Sequence, residues 1–344
     1  MIILSLFNGM NTGRQALKNV GIKVDKYYSS EIKPYAIKLT QYHFPDTIQL
    51  GDITKWREWD INWAKIDLLL SGSPCQDLSS AGKRAGIKGS KSSLFFVFIE
   101  ILEHIKTLNP NVLFLQENVA SAKKIDIGIM SRALGVYPCR INSKLVTAQL
   151  RDRYYWSNIR TKNTMFDIVT DIPQPKDKKI MFKDIITNGY VYKNKANCLQ
   201  EICISSVSFK DMLSNKAQIG IKKRERFGIN LIYKENNEIK CKTNTKKGYE
   251  IIENNDFIDL FYPNSITRRG RINKSKAHTL LTNNSNYYIY KDNIIRIMNK
   301  IEMCRLQGFP DNYCDILTTV KAGSLLGDGW TLPVIEHIFS FIKK

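Results

Sequence analysis

Ile66-Asp67-Leu68-Leu69-Leu70-Ser71-Gly72-Ser73-Pro74-Cys75-Gln76 is the stretch on which the fold turns. Residues 66–70 form an apolar run interrupted only by Asp67, and residues 71–74 stop it with turn formers. Such a run reads as a strand buried on both faces, which requires helices above and below it. Residues 2–7 make a second run, ended by Asn8-Gly9, and a helix can begin at Arg14 and reach Asn19. Residues 26–30 and 112–115 are further strand candidates, residues 33–42 a helix, and residues 94–106 carry apolar side chains at helical spacing. Strands alternating with helices predict an α/β fold with a mostly parallel sheet. Ligands of such sheets sit beyond the carboxyl ends of the strands. Attention therefore falls on Asn8, Glu31, Asp52 and the segments after Leu70 and Leu115.

The bulk composition narrows the class. An apolar fraction of 43% and a charged fraction of 24% are ordinary for a soluble globular chain. The opening MIILSLFNGMNTG does not resemble a signal peptide, and no stretch reaches the roughly 18 apolar residues of a membrane span. Seven cysteines lie scattered without zinc-site spacing, so no metal and a reduced, cytoplasmic setting are expected. The net charge of +20 suits a polyanionic partner such as nucleic acid, although a lysine-rich composition bias would give the same number.

At the strand ends, Phe7-Asn8-Gly9-Met10-Asn11-Thr12-Gly13 lets the backbone approach a ligand at a helix start, but its G-x-x-x-G spacing is not the dinucleotide fingerprint. Glu31 is positioned to bond ribose hydroxyls or to remain a surface acid. Asp52 can accept from an adenine amine or cap a helix. Cys75 follows a proline at the ligand edge of the sheet, where a thiolate can act as a nucleophile. Residues 79–93 hold three glycines, five serines and four cations, the composition of a basic lid over that cysteine. Gln116-Glu117-Asn118-Val119 closes the next strand and brings a carboxylate to the same edge. If 149–153 is a strand, Gln149, Arg151 and Arg153 share one face.

Taken together, Pro74-Cys75, Glu117-Asn118-Val119 and Gln149-x-Arg151-x-Arg153, in that order, resemble the cytosine-5 methyltransferase family. Glu302-Met303-Cys304-Arg305-Leu306-Gln307-Gly308-Phe309-Pro310 and Gly327-Asp328-Gly329-Trp330 resemble its two late blocks. LSLFNGMNTG, GSPCQDLS, SLFF and GDGWTLPVIEHIF are similar to the animal de novo DNA methyltransferases, while the Lys and Asn richness suggests a bacterial or phage source. Asp328 departs from the family, many members of which have Asn there.

The resemblance implies a Rossmann-like S-adenosylmethionine-dependent methyltransferase fold. It also implies methylation at carbon 5 of a cytosine flipped out of double-stranded DNA. Cys75 would be the nucleophile, Glu117 the acid at ring nitrogen 3, Arg151 and Arg153 the groups steadying substrate and Glu117, and Asn118 the residue orienting the loop. The cofactor would lie on Phe7, Asn8, Gly9, Met10, Thr12 and Gly13, with Glu31 at the ribose, Asp52 at the adenine amine, and Ile32 and Ile53 about the ring. Ser73, Pro74, Leu94, Asp328, Gly329 and Trp330 would complete that pocket. Gln76, Ser79, Lys83 and Arg84 would contact DNA near the extruded base.

The apolar pattern weakens after Thr170, and Ile172-Pro173-Gln174-Pro175 reads as a linker. The expected domains are a catalytic and cofactor-binding domain at 1–175, an irregular target-recognition domain at 176–315, and a segment at 316–344 returning to the first. In the second domain Arg268, Arg269 and Arg271 can hold phosphates or pair with guanine. A monomer is expected, with or without a cognate restriction enzyme. A tRNA cytosine-5 methyltransferase is the nearest rival, but the Cys-Phe-Thr of that branch is missing. An inactive DNA-binding regulator is a further rival, against which Cys75, Glu117, Arg151 and Arg153 are all retained.

Overall fold

The computed structural model describes residues 1–74, 93–187, 207–208, 231–260, 262–267, 269–279, 287–291 and 294–343. The chain divides into two units. Unit 1 comprises Met1–Val146, Arg151–Lys178 and Asp328–Lys344, and unit 2 comprises Thr147–Leu150 and Lys179–Gly327. The divisions fall at 178/179 and 327/328, against the 175/176 and 315/316 read from sequence. Local bonds explain both offsets. The Lys178 N–H donates to Leu145 O at 2.7 Å within unit 1, and Gln307 Nε2 donates to Leu326 O within unit 2.

Unit 1 contains β1 (Ile2–Leu6), α1 (Thr12–Asn19), β2 (Lys26–Ser30), α2 (Pro34–His43), β3 (Ile48–Gln49), β4 (Leu68–Ser71), α3 (Leu94–Leu108), β5 (Leu113–Val119), α4 (Lys124–Leu134) and β6 (Cys139–Asn142). After β7 (Gln149–Leu150), which belongs to unit 2, come β8 (Asp152–Ser157), β9 (Thr161–Asn163) and β10 (Ile168–Thr170). The main sheet has the order β3-β2-β1-β4-β5-β8-β6. From β3 to β5 every pairing is parallel, and β8 runs against both β5 and β6. Every residue of β4 is buried, as the unbroken apolar run requires. α3 covers the sheet with Phe95, Phe98, Ile101, Leu102 and Ile105, spaced to fall on one helical stripe. The C-terminal helix Leu332–Phe339 buries Leu332, Val334, Ile335, Ile338 and Phe339 and packs on α1.

Two departures from the sequence reading bear on the site. β5 runs on through Val119, because antiparallel β8 supplies backbone partners as far as the Val119–Arg153 pair. The polar Gln116-Glu117-Asn118 triplet is therefore strand rather than strand end. Conversely, residues 149–153 are not one strand. Gln149–Leu150 pairs with Ala277–His278 inside unit 2, and the chain turns at Arg151 before β8 begins. Gln149 thus parts company with Arg151 and Arg153.

Unit 2 is mostly antiparallel β structure. A sheet of order β11-β19-β18-β15-β16 uses Val207–Ser208 (β11), Phe257–Asp259 (β15), Arg271–Asn273 (β16), Tyr287–Lys291 (β18) and Ile294–Ile297 (β19). A smaller sheet joins Ile232–Glu235 (β12), Glu238–Lys242 (β13) and Tyr249–Ile251 (β14), and Ala277–His278 (β17) pairs in parallel with β7. The helix Lys300–Gln307 begins with a capping box in which Asn299 and Glu302 each satisfy the other's backbone N–H. The Thr187 N–H and Oγ1 also donate to the fully buried Glu302, at 2.9 and 3.0 Å. The late sequence block around Glu302 is thereby accounted for as structure.

Candidate active site

On the β5–β8 ladder Glu117 stands opposite Tyr155 and Val119 opposite Arg153, so Glu117 and Arg153 are diagonal neighbours on one face. Arg153 Nε lies 2.8 Å from Glu117 Oε1, with side chains only 13% and 10% exposed. The indole Nε1–H of Trp330 donates to the other oxygen, Oε2, at 3.1 Å. Tyr155 is buried directly across from Glu117, and desolvation, reinforced by that carboxylate, pushes its phenol up in pKa. Cys139 pairs with Tyr155 on the far side of β8, and burial raises its thiol to about 12. Arg151 Nη2 donates to Gly329 O at 2.7 Å.

The other face of β5 holds the exit of β4. Gln116 Nε2 donates to Ser73 Oγ at 2.8 Å, and Asn118 Nδ2 reaches Ser73 Oγ at 3.3 Å and Ser73 O at 3.5 Å. Two buried amides therefore fix the residue that lies two before Cys75. Cys75, Gln76, Ser79, Lys83, Arg84 and Arg268 themselves lie outside the described residues.

At the neighbouring strand ends the loop after β1 bends through positive φ at Phe7 (55°), Gly9 (57°) and Asn11 (62°). Asn8 is turned inward, accepting from Tyr27 OH at 3.2 Å and donating to Thr40 Oγ1 at 3.4 Å. Met10 and Thr12 are buried too. What this loop leaves for a ligand is its backbone and the N-terminus of α1, which has no side-chain cap. Glu31 Oε2 accepts from the Gly9 N–H at 2.7 Å, and Oε1 accepts from the Ile32 and Lys33 N–H groups at 2.8 and 2.9 Å. Oε2 keeps a lone pair for a hydroxyl. Asp52 caps the 3₁₀ turn Ile53–Glu58 through the Thr54 N–H at 2.9 Å, the second of its two sequence readings. Ile32 is 70% exposed whereas Ile53 sits in the core at 5%, so a ring at this edge meets much of Ile32 and little of Ile53. Leu94 is half-buried at the start of α3. Asp328 pairs with Lys33 at 2.6 Å.

Both amide atoms of Asn11 and Ser71 Oγ are buried without a partner at this edge. An amino-acid head group and ribose hydroxyls offer the donors and acceptors these atoms lack, so the residues present fit an adenosyl amino acid. In unit 2 the Arg271 guanidinium is tied to the buried Asp259, and Arg269 Nη2 reaches Thr243 O at 3.5 Å. A surface groove of about 440 Å³, lined by residues such as Arg14, Gly21, Val24 and Phe44, lies toward the opposite, N-terminal edge of the sheet. No candidate residue falls there.

Three links escaped the sequence reading: Trp330 to Glu117, Arg151 to Gly329, and Gln116 to Ser73. Each joins residues far apart in the chain that the fold of unit 1 brings together. The strand-end position of Gln116 was visible, but nothing in the sequence assigned it a partner.

The chain matches the model of the C-5 cytosine-specific DNA methylases over residues 1–344. It is 28% identical over 347 residues to the Type II methyltransferase M.HpaII of Haemophilus parainfluenzae, covering 97% of this chain and 86% of that protein. It is 32% identical over 220 residues to the orphan methyltransferase M.SPRI of Bacillus phage SPR, covering 60% of this chain and 46% of that one. Among solved structures, a DNMT2 mutant of Spodoptera frugiperda aligns with a TM-score of 0.53 at 17% identity, covering 99% of both chains. The methyltransferase EhMeth of Entamoeba histolytica aligns with a TM-score of 0.55 at 16% identity, covering 100% of this chain and 99% of that one.

Proposed function

Because the chain belongs to the C-5 cytosine-specific DNA methylase family, and so methylates carbon 5 of cytosine in DNA, we propose that Cys75, Glu117 and Arg153 carry the reaction. The observation that bears most weight is the Glu117–Arg153 pair at the β5–β8 edge, beside the exit of β4 that leads into Cys75. Carbon 5 of cytosine is a weak nucleophile. Addition of the Cys75 thiolate to carbon 6 makes the ring an enamine and activates carbon 5. Negative charge then builds toward ring nitrogen 3, where a protonated Glu117 donates. Arg153 holds Glu117 and offers its remaining N–H groups to the cytosine carbonyl. Gln116 and Asn118 hold Ser73, two residues before Cys75 in the chain. Loss of the carbon-5 proton to water expels the cysteine and restores the aromatic ring. The base must leave the helix stack for these groups to reach it.

The family is S-adenosylmethionine-dependent, and that cofactor when bound supplies the methyl group. Glu31 would hold its ribose, the loop Phe7–Gly13 and the start of α1 its amino-acid end, and Ile32, Asp52 and Leu94 the adenine side. The remaining reading is a cytoplasmic, monomeric enzyme of a bacterial or phage-infected cell, acting on duplex DNA. Among the described residues no helix is long and apolar enough to cross a membrane. A cognate restriction enzyme is left open, since one relative is named a Type II methyltransferase and another an orphan.

The direct experiment incubates the protein with unmethylated DNA of diverse sequence and S-adenosylmethionine, then assays 5-methyldeoxycytidine by mass spectrometry. The product should form with the intact chain and vanish in Cys75→Ala while cofactor binding persists. Normal methylation by Cys75→Ala would remove the nucleophile assignment, and bisulfite sequencing of the same DNA gives the target.

A further inference from the structure

Each carboxylate oxygen of Glu117 has its own donor. Arg153 Nε holds Oε1 at 2.8 Å and Trp330 Nε1–H holds Oε2 at 3.1 Å. The indole is wedged in place. A Cβ built on Gly72 would fall 2.7 Å from Trp330 Nε1, so the ring fills the space that any side chain at 72 would need. The backbone on either side is braced as well. Arg151 Nη2 donates to Gly329 O at 2.7 Å, and Ser143 Oγ donates to Thr331 Oγ1 at 2.8 Å.

An indole N–H can donate and never accept. Bonded to Oε2, it fixes the rotation of the carboxyl group. We infer that Trp330 is a positioning residue for Glu117, its indole N–H setting the orientation of the carboxyl group toward the base. This rests on the reading of Glu117 as the acid and goes beyond the cofactor contact that the resemblance implies for Trp330. Among the described residues, Arg153 and Tyr155 on β8 also face Glu117, with Cys139 on β6 behind Tyr155.

The test measures single-turnover methylation of unmethylated DNA of diverse sequence by the full chain, at saturating S-adenosylmethionine. Binding of S-adenosylhomocysteine is measured alongside. Trp330→Phe keeps an aromatic ring and removes the N–H together with the pyrrole part of the indole. It should lower the rate about two- to tenfold, the worth of one neutral hydrogen bond, with product binding within about threefold of the parent. Gly72→Ala, which drives the ring off its seat, should lower the rate likewise and carries the test if Trp330→Phe does not fold. Glu117→Gln should be slower still. An undiminished rate in the deciding variant, with Glu117→Gln slow, overturns the role of Trp330 and leaves Glu117 in place. An undiminished rate in Glu117→Gln overturns the reading beneath it.

Discussion

Removing Arg153 should cost unit 1 stability as well as rate, and the size of the loss follows from how Glu117 is buried. Breaking a fully buried ion pair by deleting one partner costs about 3–5 kcal/mol, because the other charge is left uncompensated. Two features lower that figure here. The pair is about a tenth exposed, and Glu117 Oε2 keeps its bond from Trp330. Arg153→Ala should therefore lose about 2–3 kcal/mol, below the range for a fully buried pair. Glu117→Gln keeps an acceptor for Arg153 and should lose about 1–2 kcal/mol. Since both changes remove the same attraction, the double variant should fall short of the sum by about 1–2 kcal/mol. The assay is urea unfolding followed by tryptophan fluorescence. All five tryptophans (56, 59, 63, 156 and 330) lie in unit 1, so the probe reports that unit alone. A coupling within about 0.3 kcal/mol of zero would mean that the two groups do not interact, and the arrangement derived for the site would fall with it.

Three further outcomes are expected. Gly13→Ala brings a Cβ within 2.5 Å of Leu70 Cδ1 and 3.1 Å of Tyr27 OH, so it should destabilise unit 1 and weaken cofactor binding; an unchanged unfolding midpoint would contradict the tight packing. The expected stability loss is about 1–3 kcal/mol. His278 is held neutral by burial and by Arg271 beside it, its pKa falling from 6.5 to about 4. Its contribution is therefore intact above pH 6.5, fades as the unfolded chain takes up the proton, and is lost by pH 4, a change of at most about 3 kcal/mol. Proton NMR of His278 titrating near 6.5 would refute this. With a net charge of +20, DNA affinity should fall steeply and linearly in logarithm as salt rises; a flat dependence would mean the charge is not engaged with phosphate.

Much of unit 1 was legible because its strands are buried on both faces, which writes them as apolar runs. Residues 26–30 were read with the bounds the structure gives, and 2–7 differed by a single residue. Where polar residues continue a strand, the pattern fails. Gln116-Glu117-Asn118 reads as a terminus until β8 is known to lie beside it. The run 149–153 misled in the opposite sense, since alternation cannot reveal that the chain enters another unit between Leu150 and Arg151. Glu117 and Arg153 could be nominated from sequence, but their bond could not, nor could the roles of Arg151, Gln116 and Trp330 in bracing the site. The short strands of unit 2 alternate too briefly to register against a Lys- and Asn-rich background.

Unit 1 is closed by Asp328–Lys344, which the chain supplies only after the whole of unit 2 has been made. Until then α1 lacks the helix that covers it and Glu117 lacks its second donor. During synthesis, a chain that stops inside unit 2 has the sheet of unit 1 but neither of these contacts. The last stretch to leave the ribosome is thus the one that completes the first unit of the chain.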